Sequence, residues 1–169
     1  MNVFYSPDIP LNCPFDMPEK EFHHFKVLRF EKGDRIHLMD GKGSIADCEI
    51  LENSKKNCIL MAKEKRPMPL KPYTLSMAVA PTKNTDRFEW FVEKAVEIGI
   101  DRITPLLCTT SERKQISTER IEKILISAMK QSLSPLKPVL NEMAPLEIFL
   151  KNAKNGDYVV ALDENGFTT

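Results

Sequence analysis

Residues 83–107 show two hydrophobic patterns in succession, first that of an amphipathic helix and then that of a buried strand. Asp86 followed three residues later by Glu89 predicts a capping box, in which both side chains satisfy backbone N–H groups of the first turn. Gly99 predicts a left-handed C-terminal residue, so we expect a helix from 86 to 98. Apolar side chains recur in it at steps of three and four residues, on one face: Phe88, Phe91, Val92, Ala95 and Val96.

Apolar runs of strand length flank this helix at 73–80 and 102–107. Parallel strands need such a crossover, so residues 73–107 are predicted to form a β-α-β unit of an α/β domain. Ligands of open α/β sheets bind at the carboxyl ends of the strands. The loops at these ends, 81–85 and 108–117, hold basic and hydroxyl side chains.

The remaining C-terminal part alternates helices with short apolar runs. A second helix is expected to begin at Ser117 and to end before Pro135, since proline cannot continue it. Its apolar face would be Ile121, Ile124, Leu125, Ala128 and Met129. A short strand at 138–141, a helix at 145–153 and a further parallel strand at 157–162 complete this part.

The N-terminal part changes from one short helix to a β pattern. After an opening strand at 2–5, the stretch EKEFHHFKVLRF predicts a helix whose buried side is Phe22, Phe25, Leu28 and Val27. Alternating runs at 35–40, 44–51 and 57–63 then predict hairpin-connected strands, and hence a small β-barrel. A charged, proline-rich segment at 66–72 marks the expected boundary between two domains, 1–70 and 73–169.

Composition indicates a folded soluble protein, with 42% hydrophobic and 28% charged residues among 169. The formal net charge is zero, so affinity for nucleic acid would depend on local patches. Residues 54–72 hold six basic side chains and one acid: Lys55, Lys56, Lys63, Lys65, Arg66 and Lys71, with Glu64. This segment is either a strand edge protected by lysines or an RNA-binding patch.

Four cysteines occur, and they show neither a C-x-x-C pair nor a histidine at ligand spacing, which argues against a metal site. Adjacent His23 and His24 cannot share one helix face, which argues against a metal role for that pair. Reduced cysteines and the lack of a secretory start favour the cytoplasm, and no apolar run approaches the ~20 residues of a membrane helix. Dinucleotide, P-loop and G-x-S-x-G motifs are absent from the sequence, so no catalytic residue is assigned.

Several ordered segments nevertheless resemble a known family, the SPOUT-class RsmE-type methyltransferases, which methylate N3 of a uridine in small-subunit 16S rRNA. The segments are HHFKVLR (23–29), GDRIHLMDGKG (33–43), K-x-x-x-R-x-E-W-x-x-x-K-x-x-E-x-G (83–99), SERK (111–114), ER (119–120) and K-Q-S (130–132). The resemblance extends over the whole chain. It implies a PUA-like β-barrel that binds RNA, followed by an α/β SPOUT-type (trefoil-knot) methyltransferase domain.

The resemblance also implies S-adenosylmethionine as cofactor, 16S rRNA or the small ribosomal subunit as partner, and a homodimer formed through the C-terminal domain. The family's G-P-E-G-G-like loop and L-x-x-R-x-L-R-x-E-T-A-like segment do not occur before Thr169. We therefore expect the methyltransferase domain to be incomplete at the C-terminus, with no cofactor-binding residue in this chain. An arginine that often follows the family's Q-S position is not matched, since Ser134 and Pro135 follow here.

The resemblance implies that basic side chains of this chain position the RNA. The candidates are His23, Lys26 and Arg29 in the first domain and Lys83, Arg87, Arg113 and Lys114 at the strand ends. Each is equally compatible with a solvated or ion-paired surface residue. A non-enzymatic RNA-binding module is the alternative function, and a small α/β enzyme acting on a metabolite is a third.

Overall fold

The computed structural model describes residues 2–152, 161–163 and 166–168. Its first half contains β1 (Val3–Tyr5), β2 (Pro14–Asp16), α1 (Glu19–Val27), β3 (Arg35–Met39), β4 (Ser44–Asn53) and β5 (Cys58–Pro67). Its second half contains β6 (Ser76–Val79), α2 (Thr85–Ile98), β7 (Arg102–Leu107), α3 (Thr118–Ser132), β8 (Val139–Leu140), β9 (Ala144–Pro145) and α4 (Leu146–Lys151). Two further strands follow, β10 (Ala161–Asp163) and β11 (Gly166–Thr168).

The first half forms a five-stranded sheet in the order β1-β3-β4-β5-β2, curled into a half-barrel. The barrel-like fold is thus confirmed, although β1 and β2 stay at opposite edges and do not pair with each other. The register between β4 and β5 shifts twice, between Ala46 and Cys48 and between Ile50 and Glu52. Such irregularities bend a strand pair, which suits a curled sheet.

Helix α1 packs on this sheet with fewer apolar side chains than predicted. Phe22 and Phe25 are buried in the core that contains Phe4. Val27 and Leu28 were expected there and are 75% and 37% exposed. The reason is that the helix ends at Val27, so the side chains at its C-terminal end are not held against the sheet.

The second half contains the predicted β-α-β unit. Strand β7 pairs in parallel with β6, from Ser76 opposite Arg102 to Val79 opposite Pro105, and helix α2 connects the two strands. Strand β8 extends the sheet beyond β7, as the pattern at 138–141 predicted. The three-residue strand β2 and the two-residue strand β9 were not predicted.

The N-terminal cap of α2 differs from the prediction. Asn84, not Asp86, is the cap, and its side-chain oxygen accepts a hydrogen bond from the Asp86 backbone N–H at 2.8 Å. Glu89 therefore takes no part in a capping box, and it pairs with Arg120 of α3 instead. The C-terminal prediction is confirmed, because Gly99 has a φ of 93° and its N–H bonds back to the last turn.

The later elements agree with the sequence pattern in part. Helix α3 begins after the cap Ser117 as predicted, and α4 covers most of the expected helix at 145–153. Of the strand expected at 157–162, residues 157–160 lie outside the described residues. The described strand Ala161–Asp163 pairs antiparallel with Gly166–Thr168, so the prediction of a parallel strand there is wrong for that part.

The turn at residues 40–43 joins the two halves. Asp40 shapes it, since its Oδ1 accepts the backbone N–H groups of Lys42 at 2.8 Å and Ser44 at 2.9 Å. Two backbone hydrogen bonds then cross to the segment after α3: Gly43 donates to Pro135 at 3.0 Å, and Lys137 donates to Gly41 at 2.9 Å. The turn thus docks on the second half through its backbone.

A buried ion pair links the same halves. Lys130 of α3 lies 2.8 Å from both carboxylate oxygens of Glu21 on α1. Glu21 is 8% and Lys130 20% exposed at the side chain. Removing one partner of such a pair leaves a buried charge uncompensated, which commonly costs about 3–5 kcal/mol.

We predict that Gly41→Ala destabilises the protein more than Gly33→Ala. Both glycines have positive φ, 66° and 91°, where an alanine costs about 1–2 kcal/mol. Only at Gly41 would the new Cβ also meet neighbours, Lys137 Cβ at 3.0 Å and Tyr5 Cε2 at 3.1 Å, which adds at least about 1 kcal/mol. Urea unfolding of both variants measures the difference, and equal losses would contradict the docking role of the turn.

Candidate functional site

The loops that follow β6 and β7 meet at the carboxyl end of the parallel sheet. Arg113 holds them together, because its guanidinium donates from Nε to the carbonyl of Thr82 at 3.2 Å and from Nη2 to the carbonyl of Lys83 at 2.7 Å. In the second loop, Ser111 Oγ accepts the backbone N–H of Cys108 at 2.9 Å and shapes the turn. One half-buried arginine therefore positions both loops.

Three of the predicted basic residues gather at this end of the sheet. Lys83, Arg113 and Lys114 line an open cavity of about 370 Å³ together with Glu112 and Gln115. Lys83 Nζ lies 3.4 Å from a carboxylate oxygen of Glu112, and both side chains are exposed, so this ion pair is weak. The cavity keeps a positive excess.

Arg87 was predicted to belong with these residues. It is exposed in the first turns of α2 and is not among the residues that line the cavity. Arg87 is therefore a separate exposed cation, and within residues 2–152 no ion pair is described for it.

The three predicted residues of the first half lie on or just after α1. His23, Lys26 and Arg29 are all exposed. Lys26 lies beside Phe22, with its Nζ 4.3 Å from the centre of the Phe22 ring. Arg29 was expected within the helix, but it follows the helix end and has a φ of 53°.

A second cavity, of about 410 Å³, lies between α1 and α3 and was not predicted. His24, not His23, lines it, together with Leu28 and with Lys130 and Gln131 of α3. His24 and Leu28, the residue directly after α1, are four positions apart, a spacing that brings two side chains to one face of a helix. The sequence could therefore have indicated that these two side chains lie together. The partner face on α3 was not visible in the sequence.

The basic segment at 54–72 is partly neutralised. Lys65 lies 3.6 Å from Asp40, Arg66 lies 3.2 Å from Asp47, and Lys71 pairs with Asp101. The other basic members are exposed: Lys55, Lys56 and Lys63. The patch is consequently weaker than its composition suggests.

Two of the four cysteines, Cys48 and Cys58, are poor candidates for nucleophiles. Burial raises the pKa of Cys48 to about 12, and the nearby charge of Asp47 adds to the effect. Burial likewise raises the pKa of Cys58 to about 11, with a further contribution from Asp16. Both thiols stay protonated at neutral pH, and thiolate is the reactive form.

The described part of the chain lacks two other kinds of feature. No group of three or more His, Cys, Asp or Glu side chains there is arranged to hold a metal ion. Among the helices of residues 2–152, none combines the length and the apolar character needed to cross a membrane.

Two family models match consecutive parts of the chain. The one described as RNA methyltransferase PUA domain matches residues 18–60, and the one described as RNA methyltransferase domain matches residues 69–169. The second alone spans more than half of the sequence.

Individual relatives are similar over most of this chain. A solved structure of a probable rRNA-methyltransferase from Porphyromonas gingivalis is 36% identical, with a TM-score of 0.85 over 98% of this chain and 70% of that one. The ribosomal RNA small subunit methyltransferase E of Aquifex aeolicus is 30% identical over 86% of this chain and 67% of its own length. The protein of the same name from Rickettsia conorii is 28% identical over 79% of this chain and 54% of its own.

A fourth relative shows the fold alone. It is the ribosomal RNA small subunit methyltransferase E from Neisseria gonorrhoeae bound to S-adenosyl methionine, which is 22% identical with a TM-score of 0.79. This similarity covers 91% of the present chain and 66% of that one. The chain thus spans between about half and 70% of the lengths of these relatives.

We predict that Arg113→Ala loosens the loop after β6, whereas Lys114→Ala does not. The first change removes two charge-assisted hydrogen bonds to carbonyls, worth together about 1–2 kcal/mol at a half-buried site. Hydrogen exchange of the peptide spanning 81–85 should accelerate by roughly 5- to 30-fold. Lys114 is exposed at the same cavity and serves as the matched control. Unchanged exchange in the Arg113 variant would show that the arginine does not hold this loop.

Proposed function

This chain belongs to the RNA methyltransferase family, and on that premise we propose that it takes part in the S-adenosylmethionine-dependent methylation of ribosomal RNA of the small subunit. The more specific proposal is methylation at N3 of a uridine in 16S rRNA, which we place in the cytoplasm. The observation that carries it is the similarity, over almost the whole chain, to a probable rRNA-methyltransferase of the same fold.

We assign RNA binding to two parts of the molecule. In the proposed division, residues 1–70 form a PUA-like RNA-binding domain and residues 73–169 form the N-terminal part of a SPOUT methyltransferase domain. The cations at the strand ends face the edge of the sheet where α/β proteins bind ligands. The exposed cations Lys26 and Arg29 offer a second contact, in the first half.

The cavity at the strand ends does not fit the cofactor. An adenosyl group needs an apolar slot for its ring, whereas the cavity at the strand ends is lined by Lys83, Glu112, Arg113, Lys114 and Gln115. The guanidinium in that set is already bonded to two backbone carbonyls. These residues are therefore given no role in binding the cofactor.

The contribution of this chain is to bind and orient the RNA. Methylation of a base nitrogen in a paired or stacked base requires that the base leave its stack, at a cost of a few kcal/mol. Phosphate contacts from lysine and arginine position the backbone on either side without reading its sequence. The strand-end loops, held together by Arg113, offer these contacts at a fixed distance from the sheet.

We predict that Arg29→Glu weakens RNA binding without changing stability. Arg29 is exposed. Arginine and glutamate both carry a Cβ and so have the same conformational cost at the positive φ of 53°, and the melting temperature should therefore change little. Loss of one phosphate contact should reduce the slope of log affinity against log salt by about 0.7–0.9. Fluorescence anisotropy with a 16S rRNA fragment measures both affinity and slope.

Lys151→Glu is the control for this test, since Lys151 is exposed on α4 and undergoes the same charge reversal. A lower melting temperature with unchanged RNA affinity in the Arg29 variant would remove this residue from the RNA-binding surface.

We predict that S-adenosylmethionine binds negligibly to the 169-residue chain, because the cavity at the strand ends offers no apolar slot for its ring. Isothermal titration calorimetry checks this, and tight binding would overturn it. Methyl transfer is tested with the product of the complete reading frame, unmethylated small subunits and labelled cofactor. Label in 16S RNA, located by mass spectrometry, is the expected result. RNA binding without transfer would favour the non-enzymatic module.

A further inference from the structure

The cavity between α1 and α3 differs in chemistry from the cation cluster at the strand ends. Its lining includes the apolar side chains Val3, Phe4 and Leu28. It also includes hydrogen-bonding groups that carry no charge, the Ser127 hydroxyl and the Gln131 amide. His24 is part of the same lining, with its ring centre 6.0 Å from that of Phe4.

We propose that this cavity, the joint groove, binds one unpaired nucleobase of the RNA substrate. The proposal rests on the proposed function and adds a site for the base to the phosphate contacts described above. Proteins that bind single-stranded RNA stack bases on aromatic or histidine rings and bond their edges with polar side chains. The joint groove offers both kinds of group within about 410 Å³, a volume in the usual range for small-ligand sites.

Charge decides between a base and a phosphate as the occupant. Lys130 is the cation in the lining, and Glu21 neutralises it with two contacts of 2.8 Å. A phosphate would have to compete with that carboxylate for the lysine and would be repelled by it. A neutral base meets no such penalty, and the Ser127 hydroxyl and the Gln131 amide are donors and acceptors without charge.

The surroundings of the groove suit a polynucleotide. Arg29 follows Leu28 directly in the chain, and Lys26 lies on the same helix, and both are exposed. They are the groups that would contact phosphates on either side of a bound base. The positive φ of Arg29 turns the chain at this point, at the end of the helix that forms one side of the groove.

The groove is also held open before binding. Its two helices belong to different halves of the protein, and the buried pair of Glu21 and Lys130 keeps them in register. The docked turn at 40–43 adds backbone hydrogen bonds between the same halves. A preformed site avoids the cost of ordering on binding.

His24→Ala tests the stacking surface. We expect affinity for a single-stranded 16S rRNA fragment to fall by about 5- to 100-fold, the range for one base on an aromatic platform. The salt slope should change less than in Arg29→Glu, which replaces a full positive charge by a negative one. His24→Phe keeps a ring and should restore most of the affinity. Thr118→Ala, on an exposed position of α3 outside the groove, is the neutral control.

Photocrosslinking of the wild-type chain gives an answer that does not depend on the stability of a variant. RNA containing 4-thiouridine is irradiated on the protein, and the modified peptides are found by mass spectrometry. Crosslinks within 24–28 or 127–131 are expected. If the wild type binds RNA but these peptides stay unmodified and His24→Ala binds equally well, the groove is not a base site. If the wild type does not bind RNA, the proposed function fails as well.

Discussion

Backbone hydrogen bonds between the turn at 40–43 and the segment at 134–137 are the constraint on which the arrangement of the two halves depends. They require a close approach of main chains, and a Cβ at position 41 would lie only 3.0 Å from Lys137 Cβ, so the two segments would have to move apart slightly. Asp40 maintains the turn by accepting two backbone N–H groups, and it is itself buried. Each such bond stabilises the fold by only about 1 kcal/mol net, so these bonds contribute more to the relative position of the two segments than to the free energy of unfolding.

The consequence of this docking is a shared groove with a neutral lining. Once the halves are in place, side chains of α1 and α3 line one cavity, and the Glu21 carboxylate meets the Lys130 ammonium. The strand-end cavity lies elsewhere and remains cationic, with Arg113 engaged in holding loops. The molecule therefore presents two surfaces of different character, one suited to uncharged bases and one to phosphates.

Ion pairing explains why the composition of residues 54–72 overstated the positive charge that this segment can offer to RNA. Residues 54–72 have an excess of five basic side chains in the sequence, yet Lys65, Arg66 and Lys71 each have an acidic partner from another part of the fold. Those acids are distant in sequence, so a local count could not include them. A charge that is already paired contributes less to binding an external anion.

The sequence by itself determined the elements whose pattern is local. The period of the apolar residues predicted α2, α3 and the parallel pair β6 and β7, and Gly99 and Ser117 predicted helix ends, because these signals depend on neighbours within one turn or strand. Whether a side chain is buried against another element, or paired with a distant charge, depends on the packing of the whole chain. Only the tertiary structure therefore decided that Glu89 pairs with Arg120 of α3, that Val27 is exposed, and that His24 and α3 line one cavity.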